Sequence, residues 1–105
     1  MGFYAPSMAE ARLIIAFEVP VHQREKVIAA WESAREFLAA QPGYIDTTLH
    51  GTIMPGARFE LINVARWESA EAFMATTRAM HSAGVFKPTA GTVANPALYE
   101  VIHSD

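Results

Sequence analysis

The residues best placed to do chemistry lie on one stretch, FELINVARW, from Phe59 to Trp67. Alternation along an extended strand puts Phe59, Leu61, Asn63, Ala65 and Trp67 on one face. An asparagine inside that apolar row is unusual. A buried amide must find hydrogen-bond partners or lose a few kcal/mol. Asn63 and Trp67 are four residues apart, about 13 Å along a strand, and both can line one cavity between sheet and helices. Groups of this kind bind and orient a polar partner; they are not nucleophiles. A structural asparagine beside a packing tryptophan fits the same pattern.

Other chemistries have less support. The chain has no cysteine, so it has no thiolate nucleophile, disulfide or cysteine metal site. Its four histidines are His22, His50, His81 and His103. No two have ligand spacing and no carboxylate cluster joins them, so no metal is expected. A Gly-rich phosphate loop is absent, which argues against a flavin or nicotinamide bound in the Rossmann manner. The net charge is -3 with no basic run, so nucleic acid is not an expected partner. No apolar run approaches the ~20 residues that span a bilayer. The start, MGFYAPSMAEA, does not read as a signal peptide. These features suit a reducing cytoplasm.

The elements that position Asn63 and Trp67 follow from a change of period along the chain. RLIIAFEV (Arg12 to Val19) is a strand stopped by Pro20, with Leu13, Ile15, Phe17 and Val19 on one face and Ile14 and Ala16 on the other. Between His22 and Gln41 the apolar positions Val27, Ile28, Trp31, Ala34 and Leu38 follow helical spacing. QPG (Gln41 to Gly43) ends that helix. Tyr44 to Thr52 alternates as a strand, with Ile45, Thr47 and Leu49 facing away from Tyr44, Asp46, Thr48 and His50. A turn at Met54 to Ala57 joins it to a strand over Arg58 to Trp67. Ser69 fits the N-cap of a second helix whose buried stripe is Ala70, Phe73, Met74, Thr77 and Met80. His81 to Pro96 reads as a short helical turn plus loop, and Ala97 to His103 as the last strand.

The order β-α-β-β-α-β predicts an α+β, ferredoxin-like fold: a four-stranded antiparallel sheet with both helices on one face. Residues 12–105 form a single domain, and residues 1–11 a flexible lead. Apolar residues make up 51% of the chain and charged residues 18%, although nineteen of the apolar residues are alanines. One small core cannot hide that much apolar side chain, and both faces of the first strand are apolar. A homodimer formed through the bare sheet face accounts for both.

WESAREFLAA at Trp31 and WESAEAFMAT at Trp67 share six of ten positions. Duplication is not the expected explanation. The stripe from Val27 to Leu38 runs through Trp31 without losing phase, so Trp31 is mid-helix, whereas Trp67 closes a strand just before a cap.

FELINVARWESAEAF (Phe59 to Phe73), with QPGY (Gln41 to Tyr44) and ANPALYEV (Ala94 to Val101), resembles the antibiotic biosynthesis monooxygenase family of dimeric α+β barrels. The resemblance spans about Arg12 to Val101. It implies a dimeric ferredoxin-like fold and, in quinone-forming members, a pocket lined by an asparagine and a tryptophan matching Asn63 and Trp67. Where those members have a tyrosine in the second helix this chain has Phe73, and Lys87 is the nearest match to a later arginine. The haem-degrading branch has an asparagine on the first strand, a tryptophan within the second helix and a later axial histidine. This chain lacks that asparagine, has Thr76 near the tryptophan position, and has Phe86 near the ligand position.

The function so implied is a monooxygenase that uses no cofactor and oxidises a small aromatic or polyketide-like substrate with dioxygen. Asn63 and the Trp67 indole are the expected oxyanion donors and His81 the candidate general base. Trp31, Phe37, Phe73, Met74, Thr77 and Lys87 are the expected substrate-binding residues. The competing readings are a dimeric binding or stress-response module without turnover, and haem binding or degradation.

Overall fold

Branched and aromatic residues dominate ARLIIAFE, and they form the central strand β1 (Ala11–Glu18). In the computed structural model, residues 9–83 and 90–105 are described. The elements that follow are α1 (Arg24–Ala39), β2 (Tyr44–Gly51), β3 (Leu61–Trp67), α2 (Ala70–Ala83) and β4 (Val93–Tyr99). They build one antiparallel sheet in the order β2-β3-β1-β4, the ferredoxin-like arrangement. β1 begins at Ala11, which is buried and pairs with Trp67. The rest of the expected N-terminal lead lies, up to residue 8, outside the described residues.

α1 runs unbroken through Trp31, and Trp67 closes β3. The two WESA segments therefore occupy unlike places. The Ser69 hydroxyl accepts from the Ala72 N–H at 3.1 Å, so Ser69 caps α2.

Four local expectations are corrected. β3 starts at Leu61, three residues later than the sequence indicates. β4 starts at Val93 and ends at Tyr99, four residues early at both ends, with Pro96 inside it. β4 is an edge strand, where a missing N–H leaves no ladder bond broken. A register shift between Tyr44 and Asp46 turns Tyr44 inward, opposite Trp67, while Asp46, Thr48 and His50 pair with the outward Arg66, Val64 and Ile62. On α2, Met74 is 53% exposed and Thr76 is buried instead.

The rotation of α2 has a visible cause at Gly43. Its φ is +92°, and a Cβ there would lie 2.5 Å from the Ala72 Cβ. The Glu68 N–H also donates to the Gly43 carbonyl at 2.8 Å. Only glycine allows α2 to approach this closely, which brings Ala72 and Thr76 to the start of β2. Gly43→Ala combines an unfavourable φ with a clash. It is expected to destabilise by about 2 kcal/mol or more, measured by urea denaturation. A loss below about 0.5 kcal/mol would mean that α2 is free to move away.

The core lies between sheet and helices in two blocks. Leu13, Ala65 and Trp67 form one, with Leu38, Tyr44 and Phe73 packed on it. Phe17, Val27 and Leu61 form the other, with Ile28, Trp31 and Leu49. Asn63 is buried on β3 between Leu61 and Ala65, so it sits where the two blocks meet.

Candidate functional site

A cavity of about 260 Å³ occupies the space between the two blocks. Its floor comes from inward residues of β1 and β3, including Ile15, Asn63 and Trp67, and its roof from α1 and α2. Strand alternation aims Asn63 into it, because the neighbouring positions Ile62 and Val64 face outward.

Asn63 is only 4% exposed, so its amide needs partners. The Trp31 indole N–H donates to Oδ1 at 2.8 Å, and the Thr47 hydroxyl lies 3.0 Å from the same oxygen. An indole N–H can only donate, so the atom facing Trp31 must be the amide oxygen. The Nδ2 group has no acceptor among the described residues and remains a donor at the cavity.

Trp67 is fully buried. Its ring meets Tyr44 and Phe73 edge-on, at centroid distances of 5.5 and 5.4 Å. Its Nε1 is buried without an acceptor among the described residues, as is the Thr92 hydroxyl. Both side chains line the cavity.

The expected site residues divide into three groups. Asn63, Trp67, Trp31, Phe73 and Thr77 line the cavity, and the Thr77 hydroxyl donates to the Phe73 carbonyl at 3.0 Å. Phe37, Met74 and His81 are not among the described lining residues. His81 is exposed in the last turn of α2, one position and about 100° round the helix from Met80, which does line the cavity. His81 therefore does not face the cavity in this arrangement. Lys87 lies outside the described residues.

Sequence reasoning passed over Thr47, Arg35, Tyr44 and Thr92, all of which line the cavity. Thr47 carried the same signal as Asn63, a polar residue in phase with Leu49. Arg35 comes one turn after Trp31. Its Nε donates to Glu32 at 3.1 Å, and that hydrogen bond is the main reason its guanidinium is held above the usual arginine range. Among the described lining residues only Arg35 and Tyr44 can ionise.

Residues 11–86 match the antibiotic biosynthesis monooxygenase family over most of the chain. The chain belongs to that family. A Shewanella loihica PV-4 protein provisionally assigned as a monooxygenase is 43% identical over 91% of this chain and 97% of its own, with a TM-score of 0.84. SnoaB, a cofactor-independent oxygenase from Streptomyces nogalater, is 19% identical over 91% and 96%, with a TM-score of 0.69. MhuD, a haem-degrader from Mycobacterium tuberculosis solved with two haems in its active site, is 22% identical over 90% and 98%, with a TM-score of 0.69. The last two likenesses show the fold alone. No curated protein matches the chain.

The donor set of this family member does not suit a histidine-ligated haem. All four histidines are described, and none lines the cavity. Among the described residues no group of three or more His, Cys, Asp or Glu side chains could hold a metal ion. No described helix is long and apolar enough to cross a membrane.

Proposed function

We propose that this family member is a cofactor-independent monooxygenase that oxidises a small, electron-rich aromatic or polyketide-like molecule. The observation that carries the reading is the orientation of Asn63: its oxygen is engaged by Trp31 and Thr47, and its N–H donors are left for the cavity. The Trp67 N–H, buried without an acceptor among the described residues, carries a cost of about 1–3 kcal/mol.

The chemistry asks for binding, orientation and exclusion of water. For an anthrone, a ring CH₂ loses one proton to solvent and gives an enolate whose oxygen accepts from Asn63. The enolate passes one electron to dioxygen, and the radical pair joins through a new C–O bond. Loss of the second ring hydrogen and cleavage of O–O release water and leave a carbonyl. One oxygen atom is in the product and the other in water. Apolar walls strengthen the hydrogen bond to the developing anion, because they hold the local dielectric low. The test is aerobic incubation of metal-free protein with anthrone. Quinone above the no-protein blank is expected, and a rate equal to the blank would remove anthrones from consideration.

A second reading, a binding module without turnover, is favoured by the lack of a histidine or carboxylate base among the described lining residues. An anthrone that raises the melting temperature yet returns unchanged after aerobic incubation would support it.

The working unit in this reading is a homodimer through the open sheet face. Ile14, Ala16, Ile62, Val64 and Ala97 share that face, opposite the helices. Charged pairs flank them: Arg66 donates to both carboxylate oxygens of Asp46, at 3.0 and 2.8 Å, which holds the Asp46 carboxyl below its ordinary range. Exposed pairs of this kind are screened by solvent and contribute little, so apolar burial would drive association. Val64→Arg is expected to yield monomer in sedimentation at micromolar concentration. An unchanged dimer would move the interface elsewhere. A reducing cytoplasm suits a chain without cysteine.

A further inference from the structure

We infer that Trp31 and Thr47 are positioning residues that make Asn63 a donor-only group, so that the cavity selects an oxygen anion over its protonated form. The inference rests on reading the cavity as the substrate site, but not on turnover. The Trp31 N–H lies 2.8 Å from the amide oxygen of Asn63. The Thr47 hydroxyl lies 3.0 Å from it and 3.3 Å from a second acceptor, the Val64 carbonyl. The three side chains come from α1, β2 and β3, so the amide is held from two sides of the sheet–helix space. Turning the amide over would set its NH₂ against the Trp31 N–H, donor against donor, and would forfeit that bond. With the oxygen committed, the NH₂ is what the cavity meets.

A donor of this kind favours an ionised oxygen. Hydrogen bonds to a charged acceptor are about twice as strong as neutral ones. The preference would invert if the amide presented its carbonyl, which accepts from a neutral phenol and repels a phenolate. The other charged or titratable groups on the cavity are Arg35 of α1, paired with Glu32, and Tyr44 of β2. The described lining residues of β1, β3, α2 and β4 add none. Arg35 also favours an anion, so the test leaves it in place and changes only the clamp.

The probe is 4-nitrophenol, whose phenolate absorbs in the visible and ionises near neutral pH. Its pKa when bound at saturating protein, without oxygen, is compared with its value in buffer. Wild type is expected to lower that pKa by about 1, a tenfold preference for phenolate. Trp31→Phe combined with Thr47→Val is expected to restore most of the difference, a pKa readout that a uniform loss of affinity for both forms of the probe would not move. If the double variant does not fold, Trp31→Phe alone, which keeps an aromatic ring on the same stem, decides in its place. Asn63→Asp keeps an acceptor for both clamp donors but offers no donor itself, and is expected to raise the bound pKa above the value in buffer. Three results would overturn the inference: no 4-nitrophenolate binding at millimolar concentration, a bound pKa in wild type at or above the buffer value, or clamp variants that titrate like wild type. Failed turnover of anthrone with the lowered pKa intact would sink the oxygenase reading alone.

Discussion

Asn63→Ala is expected to reduce the rate of quinone formation by about 100-fold, the usual loss when one preorganised donor to a developing oxyanion is removed. The side chain is suited to that role because its orientation is set before any ligand arrives. The Trp31 indole at 2.8 Å and the Thr47 hydroxyl at 3.0 Å take the oxygen, and the donors need not reorganise as charge develops. The substitution also has a structural cost. It strips an acceptor from Trp31, leaving a part-buried N–H unsatisfied at about 1–3 kcal/mol. A domain of this size has about 5–15 kcal/mol in hand, so the variant should stay folded and its rate should be interpretable. Circular dichroism and turnover measured on the same sample separate the two effects. A folded variant with a rate within threefold of wild type would remove Asn63 from the chemistry.

Trp67→Ala is expected to lower stability by about 3–5 kcal/mol, seen as a fall in Tm of more than about 10 °C. Trp67 is fully buried and holds Tyr44 and Phe73 edge-on, so truncation deletes the centre of one core block. Trp67→Phe should cost clearly less. It leaves a smaller hole and also removes an indole N–H that has no acceptor among the described residues. The contrast between the two variants is informative, because both remove the indole N–H and only Trp67→Phe keeps an aromatic ring in the core. Equal losses would show that the indole N–H, and not ring volume, sets the balance.

Much of the fold was legible because the period of apolar residues changes along the chain. Strand alternation at Leu13, Ile15 and Phe17 gives way to helical spacing at Val27, Trp31 and Leu38, and returns after Gly43. The sequence puts β4 four residues late because Pro96 argues against a strand, and that argument lapses at a sheet edge. The phase of α2 depends on the contact between Gly43 and Ala72, which no local pattern records.

The site was legible in part for the same reason. Asn63 stood out as a polar residue in an apolar row. Its partners did not, since Trp31 is 32 residues away and Thr47 16, and only the crossing of α1 over β2 and β3 joins them. His81 illustrates the converse. Its residue type suits a base, but one residue of helical rotation carries it off the cavity.

Oxygen-18 labelling tests most directly whether dioxygen is the oxidant at this cavity. Metal-free protein is incubated with anthrone under ¹⁸O₂ in ordinary water, and the product is weighed by mass spectrometry. One labelled oxygen is expected in the new carbonyl, formed far faster with wild type than with Asn63→Ala. Quinone no faster than the blank, or a carbonyl oxygen drawn from water, would contradict it.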